Sequence, residues 1–217
     1  MEIDLLEKYP RTKRDPSKRA DAKTEEHRRI ARLFEKDFFD GDRSVGYGGY
    51  SYRPDFWSGV VKTFAEHYDL KSGSKVLDVG CAKGYMLYDL MQEVPGVEAY
   101  GIDVSNWAIQ NAHPAVSDRV SVRDARDLEV FEDYEFDLVI SINTVHKLVE
   151  EECASCVNEL DRISKNCFLT VDAWLDEEGE KSMNDWNLTA QTMMSVDDWK
   201  VFFAEAGYTG DYYWFFP

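Results

Sequence analysis

The chain lacks several features that would assign it quickly to a class of protein. None of its apolar runs approaches the roughly 20 residues that cross a bilayer, and its beginning, MEIDLLEKYPRTKRD, lacks the apolar centre of a signal peptide. Cysteine is scarce, and the four that occur do not suggest a secreted disulfide framework in a chain of 217 residues: Cys81, Cys153, Cys156 and Cys167. We therefore expect a cytoplasmic protein that makes no membrane contact.

Positive charge is scarce over most of the chain. The formal net charge is -17, yet residues 1–36 hold 11 basic and 8 acidic side chains, which leaves 14 basic against 34 acidic side chains in the remainder. A surface this acidic repels phosphate backbones, so the composition argues against a nucleic-acid partner. The basic residues near the beginning alternate with acidic ones and are typical of a solvated face, with an anionic-substrate or subunit contact as the minority interpretation.

Apolar and aromatic content is ample, which predicts a folded globule with a sizeable core. From Lys75 onward, short apolar runs alternate with helical patterns, which is typical of a parallel sheet covered on both faces. We predict an α/β fold with a doubly wound, mostly parallel sheet of six or seven strands and an N-terminal helical cap. The predicted strands are residues 75–80, 98–103, 120–123, 136–142, 167–171 and one run of aromatics after 210.

The chain divides into two predicted regions. Residues 1–72 would comprise a loose arm to about residue 24, a helix from Thr24 to about Gly41, an aromatic flap and a second helix over 55–69. Residues 73–217 would form the cofactor-binding core, with a substrate-facing insertion at 172–195 that is too long for an ordinary strand–helix connection.

The stretch Lys75–Tyr85 carries the strongest functional signal, because a strand, a glycine-bearing turn and a helix start together make a cradle for an anion or nucleotide. Dinucleotide-binding folds use the spacing G-x-G-x-x-G. Here Gly80, Ala82 and Gly84 alternate, and the bulky Tyr85 stands where a dinucleotide fold needs its last glycine.

This turn resembles the first motif of class I S-adenosylmethionine-dependent methyltransferases, commonly VLDVGCGxG, with Ala82 in place of the middle glycine. Further matches follow in the family's order over residues 75–145. The resemblance implies that Asp103 accepts the ribose hydroxyls, that Asp124 and Ala125 hold the adenine, and that Asp78 orients the turn and the amino group of S-adenosylmethionine. The remaining cofactor-contacting residues that it implies are Gly80, Cys81, Gly84, Val104 and Asn143.

The segments GYGGYSY, WNLTAQT and AGYTGDYYW resemble a bacterial group of small-molecule methyltransferases associated with O-methylation of sugars or surface polysaccharides. The expected reaction is therefore methyl transfer to a small polar acceptor. A protein or other macromolecular acceptor, or a non-catalytic S-adenosylmethionine-binding protein, stays open as an alternative. A homodimer is possible. Aromatic side chains that could contact the acceptor are Tyr47, Tyr50, Tyr52, Trp174 and Trp186.

His146 is the best candidate for a catalytic base, because it follows the fourth strand and an imidazole titrates near neutrality. A structural hydrogen bond is the competing interpretation for this histidine. Asp172, which ends the predicted fifth strand, could act as base, orient His146 or ligate a metal. A metal is not favoured, because only Glu178 and Asp185 offer further ligands nearby. The pair Cys153 and Cys156 lies in an amphipathic helix without a second pair, which argues against zinc.

Overall fold

A computed structural model of the protein describes residues 1–11, 16 and 23–217, and these form an α/β fold around a seven-stranded sheet. The strand order is β3-β2-β1-β4-β5, and both β6 and β7 pair with the far edge of β5. Every strand pairing in this sheet is parallel, which confirms the predicted class. The strands are β1 Lys75–Val79, β2 Glu98–Asp103, β3 Val120–Val122, β4 Leu138–Ile142, β5 Cys167–Trp174, β6 Met194–Ser195 and β7 Asp211–Phe215.

Helices cover both faces of the sheet. They are α1 Glu25–Ala31, α2 Lys36–Asp40, α3 Pro54–His67, α4 Tyr85–Glu93, α5 Asn106–Gln110, α6 Glu150–Arg162, α7 Glu177–Trp186 and α8 Val196–Glu205, with short 3₁₀ turns at Pro114–Val116 and Val145–Lys147. Apolar side chains of α3 and α4 pack on one face, and those of α6 and α8 pack on the other. Burial on both faces explains why the central strands are nearly continuous apolar runs.

The register of β1 decides which side chains meet at the ligand edge. Asp78 lies opposite Gly101 of β2 and Ile140 of β4. Because all three strands run in the same direction, their carboxyl ends share one edge of the sheet. The glycine turn after β1, the acid that ends β2 and the loop after β4 therefore converge there, at the position where open α/β sheets bind ligands.

The predicted single helix from Thr24 to Gly41 is wrong, because the chain forms two helices there. Phe34 adopts a left-handed φ of 52°, which an α-helix cannot contain, and α2 begins two residues later at Lys36. Thr24 does cap α1, where its hydroxyl accepts a hydrogen bond from the His27 N–H at 3.2 Å. The break turns the ring of Phe34 onto that of Phe38, 5.3 Å away between centroids.

Strand β5 is longer than the sequence predicted, and it includes Asp172 and Trp174. Its extra residues gain a partner, because Trp174 pairs with Ser195 of β6. The insertion therefore begins after β5 and consists of α7, a loop and β6. The final strand β7, predicted as one run of aromatics, pairs with β5 in parallel.

The first residues of the chain pack on the folded core, so they do not form the loose arm expected from their polarity. Ile3 donates its N–H to the Tyr212 carbonyl of β7 at 3.0 Å, and Leu5 is buried. The ring of Tyr9 contacts Trp57 of α3 at 4.9 Å between centroids. Residues 12–15 and 17–22 of the expected arm lie outside the described residues.

Within the described ranges, no helix combines the length and apolar character needed to cross a bilayer.

Candidate active site

The glycine turn after β1 has the backbone conformation that its sequence requires. Gly80, Ala82 and Gly84 have φ values of 88°, 50° and 71°, all in the left-handed region that favours glycine. A Cβ on Gly80 would lie 2.0 Å from the hydroxyl oxygen of Thr144, so only glycine lets the loop after β4 approach the turn. Ala82 carries some strain at this φ, while Gly84 leads directly into α4 and leaves the N–H groups of its first turn available to a ligand.

Asp103 fixes this turn from the end of β2. One carboxylate oxygen accepts the Ala82 N–H and the other accepts the Ser105 N–H, each at 2.8 Å. Burial raises the pKa of Asp103, and these two N–H groups oppose that effect. Each oxygen keeps a lone pair for a further donor, so the carboxylate fits a pair of ribose hydroxyls.

Asp78 is the most perturbed carboxyl group of the site. Asp78 is 4% exposed, and its side chain makes no hydrogen bond among the described residues. Burial, followed by the nearby charge of Asp103, raises the pKa of Asp78 to about 8. A buried carboxyl without a donor is costly and invites a cationic ligand. The α-ammonium group of S-adenosylmethionine has the charge and the three N–H donors that this position lacks.

The adenine side of the site is less fully formed. Val104 is about half exposed, so a planar ring could pack on its side chain, and Ala125 is partly buried against the core. Both oxygens of Asp124 already accept hydrogen bonds from the Arg126 guanidinium, at 2.9 and 2.7 Å, and this contact lowers the pKa of Asp124. Arg126 was not among the predicted site residues, although it stands two residues after Asp124. The predicted contact between Asp124 and adenine stays a prediction.

The predicted catalytic pair meets at the carboxyl ends of β4 and β5. His146 Nε2 lies 3.5 Å from Asp172 Oδ2, and both side chains are buried. His146 Nδ1 is also buried and has no partner among the described residues. Asn143 lies beside them, where its amide oxygen accepts the Thr170 hydroxyl at 2.8 Å and its φ is 51°. The geometry thus juxtaposes a histidine and a carboxylate that are 26 residues apart in sequence.

Lys147 is a charged residue of this edge that was not among the predicted site residues. Its ammonium lies over the rings of Phe34 and Phe38, 5.2 and 5.8 Å from their centroids. Burial lowers the pKa of Lys147, while Asp103 and Asp172 act in the opposite direction. The sequence feature that could have identified Lys147 is its position directly after the candidate base His146.

The N-terminal helices and flap form a cap over the glycine turn. Lys83, a buried member of the turn, binds both oxygens of Asp40 at 2.8 and 2.9 Å and the Tyr50 carbonyl at 2.8 Å. The Asp40 carboxylate also accepts the indole N–H of Trp107 at 2.7 Å. Glu35 accepts the first two N–H groups of α5. Charged contacts therefore hold the cap against the residues that would surround the cofactor.

The three flap tyrosines have different surroundings. Tyr50 stacks on Tyr85 at 5.3 Å beside the turn, and Tyr47 is exposed next to Phe38. Tyr52 points elsewhere, because its hydroxyl donates to Asp89 of α4 at 2.6 Å. Burial and this hydrogen bond raise the pKa of Tyr52 to about 12. Contact with an acceptor stays a prediction for all three tyrosines, and the hydroxyl of Tyr52 ties the flap to α4.

The two tryptophans predicted to contact the acceptor border the insertion. Trp174 ends β5 and packs against α7, where a Cβ on Gly179 would approach its side chain to 3.2 Å. Trp186 ends α7, and its ring lies 6.0 Å from that of Phe215 on β7. These contacts tie the insertion to the sheet, and a role for either ring in acceptor binding stays a prediction.

All four cysteines are free and buried. Burial raises the pKa of Cys81, and it raises that of Cys153 to about 12, so neither thiol is a ready nucleophile. Across the described part of the chain, no group of three or more histidine, cysteine, aspartate or glutamate side chains is arranged to hold a metal ion.

A glycine turn after β1, an acid at the end of β2 and a buried carboxyl group lie together at the carboxyl edge of the sheet. Comparison with known proteins assigns the chain to a family. The chain belongs to the family described as "Methyltransferase domain", whose model matches residues 70–207. The seven-stranded parallel sheet with helices on both faces is the fold of class I S-adenosylmethionine-dependent methyltransferases.

Two curated relatives are ribosomal RNA small subunit methyltransferases C from Haemophilus influenzae. The one from strain PittEE is 29% identical over 138 residues, which cover 57% of this chain and 41% of the relative. The match thus spans about two fifths of the length of these relatives.

Solved structures share the fold. One is a chain in the complex of the Haloferax volcanii Trm112 methyltransferase activator with a methyltransferase. It is 26% identical with a TM-score of 0.52, and 66% of each chain is covered. Another is an S-adenosylmethionine-dependent methyltransferase from Archaeoglobus fulgidus, which is 20% identical with a TM-score of 0.55 over 69% of this chain and 68% of that one.

Proposed function

We propose that this protein is an S-adenosylmethionine-dependent methyltransferase that transfers the methyl group to a hydroxyl oxygen of a small polar acceptor, such as a sugar or a sugar-derived metabolite. The observation that supports this most is the buried pair of His146 and Asp172 beside the glycine turn. A hydroxyl group must lose its proton as it is methylated, so a base oriented by a carboxylate suits an O–H acceptor.

S-Adenosylmethionine, when bound, supplies an electrophilic methyl group on a sulfonium. Asp103 and Asp78 would hold its ribose and its ammonium, respectively, and so fix the direction in which the methyl group points. The turn and the cap would exclude water from it. The acceptor would then have to lie between the methyl group and the ends of β4 and β5.

His146 Nδ1 is the atom proposed to receive the acceptor proton. A neutral imidazole donates from one nitrogen and accepts at the other. A proton on Nε2, which faces Asp172, leaves Nδ1 as the acceptor, and the carboxylate stabilises the imidazolium that forms. An unpaired buried acceptor costs about 1–3 kcal/mol, which an incoming hydroxyl donor would relieve. Because His146 is 2% exposed, the acceptor has to displace groups that cover the ring.

The cap and the charge favour a small acceptor. Asp40, Lys83 and Glu35 hold the cap over the turn, which leaves less room for a folded macromolecule than an open edge would. A net charge of -17 opposes binding of a polyanion. We propose that the reaction does not require a metal ion.

A ribosomal RNA acceptor is the second candidate, because the two curated relatives are named for that activity. A protein acceptor and a non-catalytic role in binding S-adenosylmethionine are further alternatives. The relatives match over less than half of their length, so their acceptor does not transfer directly to this chain.

Incubation with methyl-tritiated S-adenosylmethionine separates these candidates. We expect label to enter the small-molecule fraction of a cell extract in an alkali-stable ether. We expect Asp172→Asn and His146→Ala to lower turnover about 100-fold or more while the affinity for S-adenosylhomocysteine stays within about twofold. Label confined to ribosomal RNA or protein would reject a small acceptor. Cofactor binding without label in any fraction would favour the non-catalytic role.

A further inference from the structure

The Lys147 ammonium lies between the cap and the catalytic edge without a countercharge in contact. Its backbone is fixed, because its N–H donates to the Thr144 carbonyl at 3.0 Å and its carbonyl accepts the Gln191 amide at 2.7 Å. The side chain crosses the rings of Phe34 and Phe38. Among the described residues no carboxylate lies within the 4.0 Å of an ion pair with this ammonium, and Asp103 and Asp172 act on its pKa from further away.

Lys83 provides a comparison within the same site. Its ammonium contacts both oxygens of Asp40 and the Tyr50 carbonyl, so it has three acceptors for three donors. Lys147 has aromatic faces instead, and neither hydrogen bonds nor ion pairs from its ammonium are found within the described residues. A partly buried ammonium in this state is costly, and cation–π contacts compensate only in part. A ligand that carries an anion would complete its surroundings.

The position of Lys147 indicates whether the cofactor or the methyl acceptor carries that anionic group. Asp78 and the glycine turn at the end of β1 account for the amino-acid end of the cofactor. Lys147 instead directly follows His146, on the side proposed for the acceptor, and the charges of Asp103 and Asp172 both act on it. In a chain with a net charge of -17, a fixed cation is also what an anionic acceptor needs in order to bind.

We infer that Lys147 binds a carboxylate or phosphate group carried by the methyl acceptor. This inference rests on the proposed small polar acceptor, and it narrows that class to anionic compounds, such as uronic acids or phosphorylated sugars. The aromatic rings of the cap would face the same group, and His146 would lie next to the hydroxyl to be methylated.

Thermal unfolding of the protein saturated with S-adenosylhomocysteine tests this site, because the product fills the position of the cofactor carboxylate. We expect inorganic phosphate and acetate to raise the melting temperature by about 2–4 °C beyond chloride of equal ionic strength. Lys147→Met should abolish this rise, Lys147→Arg should retain it, and Lys71→Met, at an exposed lysine, should leave it unchanged. The absence of any rise, or its persistence in Lys147→Met, would overturn the inference.

Two further measurements distinguish an acceptor site at Lys147 from a structural charge and from a contact with the cofactor. Without ligands, Lys147→Met should melt at the same or a higher temperature, because it loses an unpaired charge, and a lower temperature would contradict the inference. If the variant bound S-adenosylhomocysteine more than tenfold weaker but 5′-methylthioadenosine normally, Lys147 would pair with the cofactor carboxylate, which also overturns it.

Labelled small-molecule product should bind an anion-exchange resin at pH 7. A neutral product would contradict the inference and leave the proposed function intact. Absence of any labelled small molecule would reject the proposed function, while the phosphate result would still decide whether the anion site exists.

Discussion

The raised pKa of Asp78 predicts that the affinity for S-adenosylhomocysteine depends on pH. The pKa of Asp78 is about 8 in the folded protein against 3.8 ordinarily, so about nine-tenths of the molecules carry a protonated carboxyl at pH 7. An ammonium placed beside the carboxyl group favours the ionised form. Binding of S-adenosylhomocysteine at pH 7 should therefore release close to one proton, and the affinity should rise almost tenfold per pH unit between about 6 and 7.5.

Calorimetric titrations in buffers of different ionisation enthalpy measure that proton. Asp78→Asn should abolish its release, remove the pH dependence and weaken binding at pH 8 at least tenfold. Asp89→Asn is the matched control, because Asp89 is also buried with a raised pKa but accepts a hydrogen bond from Tyr52 of the flap. If the wild type releases no proton, or if Asp78→Asn binds as tightly as the wild type, the ammonium does not contact Asp78.

The same raised pKa destabilises the protein without its ligand. In the unfolded chain Asp78 ionises near pH 3.8, whereas in the folded chain it stays protonated to about pH 8. Stability should therefore fall as pH rises between these values and level off above them. The shift corresponds to at most about 6 kcal/mol, and about 4 kcal/mol of that is lost by pH 7. Because local relaxation reduces this, we expect Asp78→Asn to gain about 2–4 kcal/mol in urea unfolding at pH 7.

Three further substitutions test other parts of the site. Asp103→Ala should lower the affinity for S-adenosylhomocysteine about 100-fold in calorimetry, because hydrogen bonds to a charged group are worth about 1.5–3 kcal/mol each. A change in affinity below threefold would contradict the role of Asp103 at the ribose. Gly80→Ala should lower the free energy of unfolding in urea by at least about 3 kcal/mol. The control Gly73→Ala should cost about 1 kcal/mol, because Gly73 shares a left-handed φ but has open space around it. Equal losses in the two variants would refute the close approach of Thr144 to Gly80. Lys83→Met should remove the cationic partner of Asp40, cost up to about 3 kcal/mol and speed amide exchange of residues 24–53. Unchanged exchange would show that this ion pair does not hold the cap.

The sequence was most informative where one short segment determines both conformation and chemistry. The turn from Gly80 to Gly84 and the acid Asp103 could be predicted because strand, turn and helix signals follow one another within a few residues. Parallel strands then bring their carboxyl ends together whatever the details of packing. His146 and Asp172 could be paired for the same reason.

What the sequence could not show depends on contacts between distant segments. The break at Phe34 interrupts an otherwise regular helical pattern, and the length of β5 depends on a partner strand about 20 residues further on. Local patterns also do not reveal which charges pair. Lys83, which is buried, and Lys147, which is partly buried, both lie next to motif residues, yet tertiary contacts give the first a carboxylate and leave the second over aromatic rings.

The central claim is that the glycine turn and the acids around it form the site for S-adenosylmethionine. A crystal structure with S-adenosylhomocysteine bound tests it most directly. We predict that the ribose hydroxyls contact Asp103, that the α-ammonium contacts Asp78 and that the sulfur faces the edge that carries His146 and Asp172. A nucleoside bound elsewhere, or one in this cleft with Asp103 more than about 4 Å from the ribose, beyond hydrogen-bond reach, would contradict it.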